Sequence, residues 1–249
     1  MTDKVLVSVI IPAHNCSAVI CEAIDSVLKQ DVSLEVIVIN DSSTDDLDSV
    51  MEKYSSDSRV KYFVNEKNLG ASGTRNKGVL LAEGEYVAFL DADDYWRENK
   101  LKKQLALMER TKAVLCTTAR ELMNTRGESL GRVLPVKEEI SYKELLKHNS
   151  ITTSAVLVKK DVAKEFPMHH EDSHEDYIMW LEILQKYGFA CGVNEPLVCY
   201  RVSNTGKSGS KLKSAMMTLK VYKYMGFGPI KSLCCFCSYA WNGVKKHIL

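Results

Sequence analysis

The chain of 249 residues has only 5 prolines and 13 glycines, so collagen-like and low-complexity architectures are excluded. It contains no run of 18 apolar residues, which excludes a hydrophobic spanning helix. Its eight cysteines include no pair at ligand spacing with a second pair, which argues against a zinc or disulfide scaffold and for reduced, cytosolic thiols. The segment opening at Met1-Thr-Asp-Lys4 runs into a strand pattern without signal-peptide anatomy, in keeping with a cytoplasmic protein. With 45% hydrophobic and 26% charged residues, the composition is that of a soluble globular protein with a sizeable core.

Acidic residues are also missing, but only locally. Glu195 is the last of them, so residues 201–249 carry a charge of +9 while residues 1–200 carry −8. The net charge of +1 therefore averages an acidic body, unsuited to nucleic acid, with a basic tail suited to an anionic surface.

What is present is an alternation of strand and helix. Strands are expected at 7–11, ended by Pro12, then at 35–39, 60–64 and 86–90, with helices at 17–29, up to about 54, and at 70–82. Such alternation implies a parallel sheet covered on both faces, whose ligands bind beyond the carboxyl ends of the strands. Asn15, Asp41 and Asp91–Asp94 all fall in those loops. Further on, a helix at 98–110, strands at 113–118, 153–158, 189–193 and 197–202, a turn at 126–131, and helices at 142–148 and 174–186 are expected. A turn-rich hinge at 204–210 precedes a lysine-bearing helix and the apolar stretch 232–241.

Asp91-Ala-Asp-Asp94 presents carboxylates two residues apart after a buried strand, a pattern that suits Mg²⁺ or Mn²⁺ shared with phosphate oxygens. The plainer alternative is an acidic turn, with Asp94 capping the next helix. Asp41 suits a base or ribose contact, or a turn role. The helix opening Gly70-Ala-Ser-Gly-Thr-Arg75 offers amides and a guanidinium to a diphosphate. Gly206-Lys-Ser208 lacks the earlier glycine of a P-loop. His170-Glu-Asp-Ser-His174 fits a zinc-peptidase pattern, but Ser173 with Asp176 resembles a capping box that would leave His170 outside the helix. For Glu175-Asp176 the plain alternative is helix-dipole complementation.

Taken together, Val9-Ile-Ile-Pro-Ala-His-Asn15, Val38-Ile-Asn-Asp-Ser-Ser-Thr-Asp45, Asn68-Leu-Gly70, Thr74-Arg-Asn-Lys-Gly78, Phe89-Leu-Asp-Ala-Asp-Asp94 and His174-Glu-Asp176 before Trp180 resemble the family 2 glycosyltransferases. The likeness runs from about residue 5 to 205, in order. Thr152-Thr-Ser-Ala-Val-Leu-Val158 and the basic tail also resemble bacterial transferases of teichuronic acid, O-antigen and capsule synthesis.

The resemblance implies a GT-A fold: an α/β domain with a mostly parallel, Rossmann-like sheet and helices on both faces, plus a basic helical tail. It implies a nucleotide-sugar half at 1–110, an acceptor half at 111–205 and the tail at 206–249. Its implied activity is inverting, metal-dependent transfer of a hexose from a nucleoside-diphosphate sugar, UDP by default, to a polyprenyl-diphosphate-linked saccharide. Pro12, Ala13, His14, Asn15, Asp41, Asn68, Arg75, Asp91, Ala92 and Asp93 would hold the donor, and Asp93 would bind the Mn²⁺ or Mg²⁺. Asp176 would be the catalytic base, while Glu175, Trp180 and Arg201 would serve the acceptor side. His14 departs from the tyrosine more usual in the family, as does Asn40 from an acidic residue. The tail would touch the cytoplasmic face of the inner membrane, or else pack as a helical hairpin on the body or on a second subunit. The competing readings are a nucleotide-sugar-binding protein without chemistry and a zinc peptidase using His170, Glu171 and His174.

Overall fold

The computed structural model describes residues 4–202 and 211–248. Its first half is strand–helix alternation: β1 (Val7–Ala13), α1 (Ile20–Leu28), β2 (Leu34–Asn40), α2 (Leu47–Met51), β3 (Val60–Val64), α3 (Gly70–Leu81) and β4 (Tyr86–Phe89). The second half adds β5 (Tyr95–Trp96), α4 (Lys100–Thr111), β6 (Leu115–Met123), β7 (Ser129–Leu134), β8 (Glu139–Ser141), α5 (Tyr142–Lys147), β9 (Leu157–Lys159), α6 (Lys160–Glu165), α7 (Glu175–Tyr187) and β10 (Phe189–Arg201). Two C-terminal helices follow, α8 (Lys211–Tyr224) and α9 (Pro229–Ile248).

One sheet runs through the molecule in the order β3-β2-β1-β4-β9-β6-β10-β5, with β7 on β6 and β8 on β10. β3, β2, β1 and β4 are parallel, so their carboxyl ends share one edge. β9 is antiparallel to both β4 and β6, and β10 returns parallel to β6. Side-chain alternation divides the core. Ile10, Ile37, Ile39 and Phe89 face α7, whereas Val9, Ile11, Val36 and Val38 face α1. α3 can approach β1 closely because residue 78 is glycine: a Cβ there would lie 2.4 Å from Ile10 Cγ2.

Several elements differ from the expectations. β1 continues through Pro12, because β4 has ended by that level and the missing N–H on that side leaves no ladder bond unmade. The pieces expected at 189–193 and 197–202 form one strand, with register shifts around Pro196. Residues 153–155 form a 3₁₀ turn ahead of β9. The turn near 126 belongs to a β6–β7 hairpin. Asn99, in a left-handed conformation, stands at the N-cap of α4 in place of Asp94. The capping box at Ser173 does not form: His174 is the N-cap of α7, and the Ser173 hydroxyl donates to the His170 carbonyl. Ser141 and Glu144 do make a capping box at α5. The hinge at 204–210 lies outside the described residues. Among those described, no helix is long and apolar enough to cross a membrane.

Behind the Asp91–Asp94 loop, Lys100 is wholly buried, its Nζ 2.8 Å from Gln104 Oε1 and 3.8 Å from the Trp96 ring centroid. Burial lowers its pKa to about 7. The unfolded chain therefore binds more protons between about pH 7 and the ordinary lysine range, so this group's contribution to stability rises with pH across that window. Lys100→Met should stabilise the fold by roughly 2 kcal/mol at about pH 6, with the gain fading towards about pH 10. Urea unfolding at both ends of the window reads this out, and a loss of stability at the acid end would contradict it.

Candidate active site

Four strand ends build one cavity. At the end of β2, the buried Asp41 carboxylate accepts hydrogen bonds from the Leu69 amide at 2.8 Å and from Asn65 Nδ2 at 2.8 Å, which ties the β3–α3 loop to the sheet edge. The Asp41 carbonyl accepts from Asn68 Nδ2 at 3.3 Å and lies 2.9 Å from His14 Nδ1. Past β1, Asn15 takes a left-handed conformation with φ of 50°, and its Oδ1 accepts from the Thr44 amide at 2.8 Å. The resulting cavity of about 440 Å³ is lined by all ten residues expected at the donor: Pro12, Ala13, His14, Asn15, Asp41, Asn68, Arg75, Asp91, Ala92 and Asp93. Cys16 and Val19 add apolar wall that no motif announced, and burial together with Asp45 pushes the Cys16 thiol up to about 12.

A second cavity, of about 400 Å³, opens on the other side of the same loop and shares Arg75, Asp91 and Asp93 with the first. Its far wall is the start of α7, with His174, Glu175 and Asp176. Asp176 accepts from the Thr153 hydroxyl at 2.8 Å and from the Tyr177 amide at 2.7 Å, so its carboxylate is fixed at the helix N-terminus. Arg120 and Tyr200 come from β6 and β10, and Ser214 and Tyr239 from α8 and α9. Sequence reading missed these four.

Arg75 joins the two cavities. It is buried, donating from Nη2 to Asp91 Oδ1 at 2.5 Å and from Nη1 to Glu175 Oε1 at 3.4 Å. Burial works against its charge, but Asp91, Glu175 and Asp176 outweigh that and hold the proton more firmly. Asp94 is not a surface cap. It is buried, accepts from the Ser154 hydroxyl at 2.6 Å and the Arg201 amide at 2.8 Å, and burial beside Asp91 and Asp93 pushes its carboxyl well up. Arg201 lines the second cavity as expected, yet its guanidinium is engaged by Glu22, the Asp93 carbonyl and the Thr125 carbonyl.

Trp180 is a correction. Expected on the acceptor side, it is wholly buried, lines neither cavity and packs on Phe89 with ring centroids 6.3 Å apart. It lies one turn into α7, on a face turned to the core. The helix opening at Gly70 also differs, because the Ser72 amide donates to Glu171 Oε1 at 3.1 Å, so a carboxylate already occupies that terminus. His170 precedes α7 and stacks on Tyr224 at 3.7 Å, while His174 faces Ser214. These two imidazoles share no helical face, and the zinc-peptidase geometry is not made.

Asp93 suits a divalent cation. Its carboxyl is pushed up by burial and by Asp91, a cost that a metal charge would relieve. Among the described residues no group of three or more His, Cys, Asp or Glu side chains forms a cage. The carboxylates of Asp91 and Asp93 fit a metal that would take its remaining ligands from a substrate's phosphates.

The chain is similar to known proteins in both sequence and fold. Residues 8–166 match the family described as glycosyl transferase family 2. The putative teichuronic acid biosynthesis glycosyltransferase TuaG of Bacillus subtilis (strain 168) is 35% identical over 248 residues, which cover 98% of each chain. The UDP-Glc:alpha-D-GlcNAc-diphosphoundecaprenol beta-1,3-glucosyltransferase WfaP of Escherichia coli is 35% identical over 243 residues, 97% of this chain and 95% of that one. In fold, S. aureus TarS residues 1–349 in complex with UDP-GlcNAc superposes with a TM-score of 0.72 at 21% identity, over 88% of this chain and 66% of that one. The mannosyltransferase PcManGT from Pyrobaculum calidifontis, in complex with GDP-Man and Mn²⁺, gives 0.71 at 16% identity, over 95% of this chain and 69% of that one.

Proposed function

The chain belongs to glycosyl transferase family 2, and we propose that it transfers a sugar, with inversion and metal dependence, from a nucleoside-diphosphate donor to a polyprenyl-diphosphate-linked saccharide. The observation that carries this reading is the meeting of two cavities at Asp91 and Asp93, with Asp176 on the side away from the nucleoside. Residues 1–110 supply the donor side and residues 111–205 most of the acceptor side. UDP is the default donor nucleotide, and the diphosphoundecaprenol acceptor in the name of the E. coli relative supports the acceptor class.

Asp41, Asn15 and the β1 end receive the nucleoside, and Asp91, oriented by Arg75, receives the ribose. Asp93 would hold a bound Mn²⁺ or Mg²⁺, which would supply positive charge beside the departing diphosphate. Asp176, steadied by the Thr153 hydroxyl, takes the proton from the acceptor hydroxyl as that oxygen attacks the anomeric carbon. Diphosphate departs without protonation, so one base suffices and attack comes from the face opposite the leaving group.

The C-terminal helices serve two ends. Met217, Val221 and Tyr222 are buried against the body, while Met216, Leu219, Ile230 and Leu233 are exposed among Lys213, Lys223 and Lys231. That outer face meets the cytoplasmic leaflet where a lipid-linked acceptor resides.

In a thermal melt, one of UDP, GDP, dTDP or CDP together with Mn²⁺ should raise the melting temperature of both the wild type and Asp176→Asn, while the variant loses transfer by roughly 100-fold or more. Transfer that survives in Asp176→Asn would remove it as base, and a melt unmoved by every nucleotide would remove the donor site. For the tail, Ile230→Ser with Lys231→Glu should weaken co-sedimentation with anionic vesicles roughly tenfold. Unchanged sedimentation would leave the hairpin a packing element alone.

A further inference from the structure

Three arginines line the second cavity, and two are committed. Arg75 is paired with Asp91 and Glu175, and Arg201 with Glu22 and two carbonyls. Arg120 is not. It stands in β6 beside the buried Ala119, with its guanidinium carbon 5.7 Å from the Tyr200 ring centroid. Its Nε is buried without an acceptor, and among the described residues no hydrogen bond or ion pair reaches its guanidinium. Burial lowers the pKa of this guanidinium against the opposing pull of Tyr200 and Asp94. The Asp94 carboxylate is engaged elsewhere, by the Ser154 hydroxyl at 2.6 Å and the Arg201 amide at 2.8 Å.

A partly buried cation whose Nε has no acceptor and which no carboxylate hydrogen-bonds is costly, and a ligand that brings an anion removes that cost. Two anions could enter this site, the donor's diphosphate and one carried by the acceptor. Arg120 lines the second cavity and not the nucleoside cavity, whereas Arg75 and Asp93 line both. Neutral Asn149, Thr152 and Tyr239 share the second cavity with it and suit sugar hydroxyls.

We propose that Arg120 is the acceptor-recognition residue, a guanidinium held ready for the diphosphate that joins the acceptor sugar to its carrier. This deepens the proposed function, since it rests on the second cavity receiving the acceptor. The planar fork would take two phosphate oxygens at once, a geometry that lysine does not reproduce. The enzyme would then select acceptors by their diphosphate as well as by their sugar.

The test is binding, separate from transfer. With the donor site saturated by nucleotide and Mn²⁺, calorimetry is run with a short-chain alkyl diphosphate and with the matching alkyl alcohol. The wild type should bind the diphosphate and not the alcohol. Arg120→Gln should bind the diphosphate roughly 10- to 100-fold more weakly, with Arg120→Lys in between, while the nucleotide-dependent rise in melting temperature is unchanged in both. In transfer assays, Arg120→Gln should raise KM for a diphosphate-linked acceptor and leave KM for a neutral alkyl glycoside of the same sugar unmoved. Equal diphosphate binding by the wild type and Arg120→Gln overturns the proposal. So does a matching loss of the nucleotide response, which would assign the guanidinium to the donor or to the fold. Arg120-dependent diphosphate binding without any sugar transfer would instead count against the proposed function, leaving the anion site in place.

Discussion

The buried guanidinium of Arg75 is the constraint on which the site depends. It leaves α3 on the donor side, binds Asp91 at the end of β4 and reaches Glu175 at the start of α7. Desolvating this charge is costly, and the two carboxylates held against it offset that cost. By holding both carboxylates it also fixes the spacing between the donor loop and the helix that carries Asp176. Asp94 supplies a second tie, through Ser154 to the turn before β9 and through the Arg201 amide to the end of β10. Both ties cross the shared wall of the two cavities.

Around that wall the sheet arranges the rest. Four parallel strands end at one edge, so short loops suffice to bring Asn15, Asp41, Asn68 and Asp93 round a single cavity. Antiparallel β9, inserted between β4 and β6, brings Thr153 under Asp176. The second cavity is closed by residues far along the chain: Ser214 from α8 and Tyr239 from α9, the latter's ring 6.2 Å from those of Tyr177 and His148. A hairpin that carries the basic face thus also forms part of the pocket wall, which places the outer surface and the acceptor cavity on one element.

The first cavity was legible in the sequence because most of its lining follows strands whose apolar runs mark their own ends, and parallel pairing then gathers the loops without further information. Of the second cavity's far wall, the sequence showed the start of α7 and Arg201. Arg120, Tyr200, Ser214 and Tyr239 reach the cavity through strand pairing and helix packing across long stretches of chain, and no local spacing encodes that. Pro196 made β10 read as two strands, since a register shift absorbs a proline that a regular ladder would not. Trp180 was carried to the acceptor side by the resemblance alone, and its ring packs in the core against Phe89. Ser173 had the spacing of a cap, but its hydroxyl bonds back to His170 and α7 begins one residue later.

The central claim is a single displacement, with the leaving diphosphate beside Asp93 and one base, Asp176, on the opposite side of the sugar. The most direct test is the anomeric configuration of the first-formed product, read by proton NMR from an α-linked donor sugar. A β-linked product is the result this account requires. An α-linked product would mean two displacements or front-face attack, and no arrangement of these cavities around one base would explain it.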